Sequence, residues 1–213
     1  MMVKKRTGRR PKQAQSTREL ILQAAIQVFA KRGISGASLQ EIGKACGLSQ
    51  PAVFYHFKKK EEIVREAFLA AGLRAQILFE KAVQASTSSR DRAICRMEVN
   101  LRMMIERPEE GLLTVLAWSQ TWQDPKLREL LQSLMKNGRE RLAENTHALL
   151  REGRLGSESD AENLATVLHG LIAGELFLSF LNLGRRTPAQ RQQQVQEAKA
   201  RWDWLMDRVL TTR

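Results

Sequence analysis

Apolar residues recur along this chain at steps of three and four. Nowhere do β-branched residues alternate with polar ones over a strand's length, so the pattern predicts helices and no sheet. Ser16-Thr17-Arg18-Glu19 reads as a capping box that opens a helix carrying Leu20, Ile21, Ala24, Val28 and Phe29 at helical spacing, with Gly33 as its end. Ser38-Leu39-Gln40-Glu41 reads as a second capping box, opening a short helix that turns Leu39 and Ile42 inward. Gly47-Leu48-Ser49 marks a tight turn into a third helix over 50–57, with Ser49 as its cap and Pro51 tolerated in its first turn. Further helices are predicted near 60–84, 89–107, 109–122, 125–152, 159–183 and 188–211. Pro108, Pro125 and Pro188 fall near their starts, and Gly153 and Gly184 near their ends.

Two short helices joined by a glycine-containing turn, after a longer helix, describe a three-helix helix-turn-helix unit. Charge sharpens that picture. Of 35 Lys/Arg and 23 Asp/Glu in 213 residues, residues 1–60 hold 13 basic groups against Glu19 and Glu41 alone, a net of +11 out of +12. Such one-sided charge is the electrostatic footprint of a polyanion-binding module. A solubilising basic tail would explain Lys4 to Lys12, but not Lys44 and Lys58-Lys59-Lys60 within a structured segment.

Residues 16–63 resemble the DNA-binding domain of the tetracycline-repressor (TetR) family of bacterial regulators. The resemblance is carried by Ile21-Leu22-Gln23-Ala24-Ala25, Phe29-Ala30-Lys31-Arg32-Gly33, Ser38-Leu39-Gln40-Glu41-Ile42-Gly43, Cys46-Gly47-Leu48-Ser49 and Tyr55-His56-Phe57-Lys58-Lys59-Lys60-Glu61-Glu62-Ile63. The family commonly has Gly where Pro51 stands and Tyr where Phe54 stands, so one tyrosine hydroxyl contact to phosphate is missing here. The resemblance implies an all-α chain: a flexible basic arm over 1–15, a helix-turn-helix DNA-binding domain over 16–60, and a helical ligand-binding and dimerisation domain over 61–213.

The chemistry of the expected DNA face follows residue by residue. Gln50 and Ala52, in the first turn of the recognition helix, suit an adenine edge and a thymine methyl. Tyr55 and His56 reach phosphate or a methyl, while Val53 and Phe57 are expected in the core. Ser38 and the amides opening its helix suit a phosphate. Lys60 resembles the lysine that family members set on the DNA backbone; its place at a helix start, unfavourable for the helix dipole, suggests a partner outside the protein. Arg9 and Arg10 suit an arm that enters a minor groove, with a solvated, disordered arm as the equal alternative.

For residues 61–213, Ile94, Met97, Leu101, Met104 and Ile105 form one inward stripe, and Leu127, Leu130, Leu131, Leu134, Leu142 and Leu149 another. Val195, Ala198, Trp202, Leu205 and Val209 step by 3, 4, 3 and 4, the spacing of a coiled-coil seam. With Gly170 and Gly174, one turn apart on an apolar helix, they are the expected dimer interface. Phe79, Met97, Met103, Met104, Trp118 and Trp122 are the expected apolar lining of an effector pocket, with Asn100, Gln120, His147 and Glu175 as polar anchors.

Other classes find little support. There is no phosphate-binding glycine loop, no nucleophile elbow, no His-Glu-x-x-His, and no paired metal spacing among His56, His147 and His169, so neither catalysis nor a cofactor is expected. The two cysteines, Cys46 and Cys95, form no disulfide framework. Met1-Met2-Val3-Lys4-Lys5 precedes no apolar run, and 170–184 is too short to span a bilayer; a cytoplasmic protein without membrane partners is expected. The expectation is a homodimeric repressor released from a palindromic double-stranded DNA operator by a small-molecule effector. An architectural DNA-binding protein, or a helical scaffold with a basic arm, is the alternative.

Overall fold

The computed structural model of the protein describes residues 11–181 and 187–210. Among them are nine helices and no strand: α1 Pro11–Gly36, α2 Leu39–Ala45, α3 Gln50–His56, α4 Lys60–Ala85, α5 Ser89–Glu106, α6 Pro108–Gln120, α7 Pro125–Arg151, α8 Glu158–Leu181 and α9 Pro188–Leu210. The chain divides into two compact units, one ending at Ala67 and the other beginning at Phe68. That boundary falls seven residues beyond the one read from the sequence.

In the first unit α1 packs on α2 and α2 on α3. The core holds Ile21, Ala25, Phe29, Ile42, Val53, Phe57 and Ile63, each fully shielded from solvent. Burial of side chains this size stabilises by about 1.5–3 kcal/mol apiece, which fixes helices too short to persist alone. Helix α1 starts at Pro11, so the capping-box sequence at Ser16 lies inside the helix rather than at its head. Gly33, with φ of 71°, breaks the helical geometry as expected.

Both capping predictions at the short helices hold. The Glu41 amide donates to Ser38 Oγ (3.2 Å) and the Ser38 amide to Glu41 Oε2 (3.1 Å), a complete capping box. The Ala52 amide donates to Ser49 Oγ (3.3 Å) at the head of α3. The turn between them closes through the Leu48 amide on the Gly43 carbonyl at 2.8 Å. Gly43 is there because nothing larger fits: a Cβ would lie 2.7 Å from the Leu48 carbonyl oxygen and 3.3 Å from Val53 Cγ2.

In the second unit α5, α7, α8 and α9 enclose a core built on Ile94, Met97, Leu101, Leu142, Leu149, Leu168, Trp202 and Met206. Thr146, fully buried on α7, donates its hydroxyl to the Ala161 carbonyl of α8 at 2.9 Å and so leaves no unpaired polar group at that contact. Helix α9 corrects the sequence reading. Ala198 and Trp202 are buried in this core, and Val195, Leu205 and Val209 pack against it, so the seam-like stripe covers the chain's own helices. Spacing of three and four serves a coiled coil and an intrachain helix contact equally. Gly170 and Gly174 of α8 instead face outward, with no atom within 4 Å of a would-be Cβ. Around them Val167, Leu171, Phe177 and Leu178 are 42–59% exposed.

Gly43→Ala is expected to destabilise the first unit by about 1–3 kcal/mol. The obstacle is backbone, and the gain of up to about 1 kcal/mol in helix propensity does not offset it. Chemical denaturation followed by circular dichroism measures this; an unchanged midpoint would mean that the turn tolerates a wider separation of α2 and α3.

Candidate functional site

Helix α3 has two faces. Val53 points inward, with Phe57 just beyond the helix end. Outward stand Gln50 and Pro51, with Phe54 at 49% and Tyr55 at 75% exposure, while Ala52 and His56 are half-buried. An aromatic ring left so open to water is uncommon without a partner to cover it. The Tyr55 and His56 rings meet edge to face at 5.3 Å. Lys58 folds back over Phe54, its ammonium 4.8 Å from the ring centroid and donating to the Phe54 carbonyl at 3.1 Å. A cation therefore stands beside the ring that lacks a hydroxyl. Lys44 and Lys59 are also exposed, so the unit presents positive charge around an uncovered helix face.

The position of α3 is held by an arginine that the sequence reading took only as part of a cap. Arg18 on α1 pairs in bidentate fashion with Glu66 on α4, with Nε to Oε2 at 2.9 Å. Its Nη1 donates to the His56 carbonyl at the end of α3 (2.6 Å), and its guanidinium lies 4.0 Å from the Phe57 ring centroid. One side chain thus ties three helices together. No sequence spacing signals a contact 48 residues apart.

Two expectations change. Ser38 Oγ is occupied by the cap and donates to Glu41 Oε2 at 3.0 Å, so the capping box takes up the hydroxyl expected at a phosphate. Lys60 has partners inside the chain: its Nζ donates to the Ser35 and Ala37 carbonyls at 3.3 and 3.0 Å. A cation against the carbonyls just past a helix offsets their partial negative charge, which accounts for a lysine at this position without any outside partner. Arg9 and Arg10 lie outside the described residues.

The second unit holds a cavity of about 140 Å³ among α4, α5, α6 and α7, with Leu176 of α8 on one side. Phe79, Asn100 and Met103 line it, as expected from the sequence. The other anticipated residues whose side chains are described do not. Met97 is sealed in the core, Trp122 is 86% exposed, and the Trp118 indole nitrogen is buried without a hydrogen-bond partner away from the cavity. Gln120 donates to its neighbour Ser119 Oγ at 3.3 Å. His147 borders an open groove of mixed charge on α7 and α8, with Nδ1 2.7 Å from the Ala143 carbonyl, and Glu175 pairs with Arg201 at 2.8 Å. The side chain of Met104 is not among those described. The sequence reading missed Arg96, Glu110, Gly138 and Arg141, all of which line the cavity. Arg96 could have been found, because it shares one helix face with Asn100 and Met103 at steps of four and three.

Residues 21–67 match the model of the bacterial regulatory proteins, tetR family. Over 60 residues the chain is 44% identical to the HTH-type transcriptional regulator AcrR of Shigella flexneri, a match spanning 28% of each chain. Over 178 residues it is 29% identical to YdgC, an uncharacterized HTH-type transcriptional regulator of Bacillus subtilis (strain 168), covering 81% of this chain and 85% of that one. A TetR transcription regulator from Haloarcula marismortui shares the fold with a TM-score of 0.72, at 18% identity over 89% of this chain and 97% of that one. Residues 21–67 form a DNA-binding domain of the tetR family. The chain is a DNA-binding transcriptional regulator, of a family that consists of regulators rather than enzymes. Among the described residues no three metal-ligating side chains cluster, and no helix is long and apolar enough to cross a membrane.

Replacing Lys60 by Ala should lower the stability of the tetR-type DNA-binding unit by about 1 kcal/mol, since two charge-assisted hydrogen bonds vanish. Lys59→Ala, which removes a charge but no such bond, is the control. Equal melting of the two variants would deny Lys60 its tie to the end of α1.

Proposed function

We propose that the protein is a homodimeric repressor, binding a palindromic operator through α3 and leaving it when a small molecule fills the cavity of the second unit. The observation that carries this reading is the open face of α3, with Gln50 and Tyr55 uncovered on a unit that holds +9 of the net +12 charge. Gln50 meets a base edge, Tyr55 and His56 meet the backbone or a methyl, and the lysines around them neutralise phosphates. Lys60 keeps one ammonium proton beyond its two carbonyl bonds, so a phosphate contact is compatible with its structural role.

One recognition helix reads a half-site only, and two-fold operator symmetry calls for a second copy. The apolar face of α8 supports it: Val167, Leu171, Phe177 and Leu178 surround two glycines that allow close helix approach. Repression and release by a ligand are typical of the family. A ligand shifts the equilibrium only if it prefers the DNA-incompetent conformation. Helix α4 is the coupling element, since its first turns belong to the DNA-binding unit and its later turns line the cavity.

Selection from a random duplex pool should enrich one palindromic sequence. Gln50→Ala should then bind it more weakly by about 1–3 kcal/mol while non-specific binding holds. A pool that stays random after selection would instead mean binding by shape and charge. For the interface, Leu171→Asp should halve the sedimenting mass at micromolar concentration without changing the helical signal. Trp202→Asp, buried in the core, should unfold the second unit; a folded monomer from that variant and an intact dimer from Leu171→Asp would return the interface to α9.

A further inference from the structure

The cavity in the second unit carries an unbalanced charge. Three ionised side chains line it besides the apolar ones: Glu110, Arg141 and Arg96. Glu110, itself buried, receives two guanidinium groups, Arg74 through Nε at 3.1 Å and Arg107 through Nη1 at 2.9 Å. Arg141 is bound to Glu80, with Nη1 to Oε1 at 2.6 Å. Arg96 has no carboxylate partner among the described residues. Its guanidinium lies 5.0 Å from the centre of the Phe79 ring and rests against α7 at Gly138, where a Cβ would come within 2.5 Å of Nη2. The neighbouring His169 supplies no counter-charge: burial, with Arg96 and Arg139 nearby, holds its imidazole below the usual range and neutral at neutral pH. Burial, then the Arg141 charge, press the Arg96 guanidinium down from its ordinary value, with the Cys95 thiol a smaller influence the other way.

Resting on the reading of this cavity as the effector site, we propose that the effector is a small monoanionic carboxylate with an apolar body, its head group gripped by Arg96. A cation held away from water without a partner is unfavourable, so an anion that supplies one binds strongly there. The guanidinium fork matches a carboxylate with two parallel hydrogen bonds. A dianion such as phosphate fits less well, because Arg141 is already engaged and Glu110 faces the same space. A cationic ligand fits worst, since the acid lining the cavity is neutralised twice over while Arg96 repels it. Phe68, Phe79, Val99, Met103, Leu134 and Leu176 supply the surface for an apolar body.

The probes are octanoate and phenylacetate, each set against the alcohol and the amine of the same carbon skeleton. Binding to the full-length protein is followed by calorimetry, and release of the selected operator by fluorescence anisotropy. Wild type should bind at least one carboxylate roughly tenfold or more tighter than its alcohol, and the amines not measurably. Arg96→Met should erase that preference yet melt no lower than wild type without ligand, because an uncompensated charge has gone; a merely structural arginine would melt lower when removed. Arg96→Lys, which keeps the charge and loses the fork, should lower carboxylate affinity several-fold and leave alcohol affinity unchanged. Gly138→Ala should do the same by crowding the guanidinium. No carboxylate preference in wild type, or one that survives Arg96→Met or Arg96→Lys, overturns the proposal. If an operator is selected and no carboxylate binds, the anion site falls while the regulator reading stands. If a carboxylate binds through Arg96 and no operator is selected, the site stands and the regulator reading falls.

Discussion

Two helices of seven residues have no persistence of their own in water, so α2 and α3 depend on one close approach. It lies at Gly43, where the backbone of the turn passes too near for any side chain and the Leu48 amide bonds back to the Gly43 carbonyl. Contact at that distance lets Val53 and Ile42 bury completely, and their burial holds the outer face of α3 in one orientation. Arg18 then secures the far end of α3, joining it to α1 and α4 through a carboxylate, a carbonyl and an aromatic ring. A partly exposed ion pair contributes little stability by itself. Its value here is directional, because three helices meet at one planar group.

The two units solve their charge problems differently. The first leaves cations on its surface, where water and a polyanion both accommodate them at small cost. Lys60, set against the carbonyls of Ser35 and Ala37, satisfies groups that the end of α1 leaves open. In the second unit charge enters the interior, and three of the four guanidiniums around the cavity are matched to Glu110 or Glu80. Arg96 is the exception, held by the face of Phe79 and the gap at Gly138. A protein that keeps such a group has traded some stability for a binding preference.

Local signals were legible wherever a residue acts on its own neighbours. Ser38 and Ser49 cap through side chains that reach three residues ahead, and Gly33 breaks a helix by its own backbone angle, so each is visible in a short window of sequence. Lys60 misled for the opposite reason. Its partners lie 23 and 25 residues away, and a dipole argument applied to its own helix alone pointed outward. The cavity suffered similarly: Trp118 and Trp122 are large and apolar, yet α6 turns the Trp118 indole nitrogen into protein and the turn after α6 leaves Trp122 in solvent.

By itself the sequence determined the helical class, the order and approximate bounds of the helices, the basic N-terminal unit and the inward residues of its short helices. These follow from periodicity, caps and charge counts, all of which are properties of neighbouring residues. Only the tertiary structure decided which apolar stripe faces inward on α8 and α9, that Arg18 fastens the far end of α3, and that Arg96 stands without a carboxylate partner among the described residues. A stripe at steps of three and four says that a helix has a partner but not which one. A charge is balanced or unbalanced only by groups that folding brings beside it, from helices far apart along the chain.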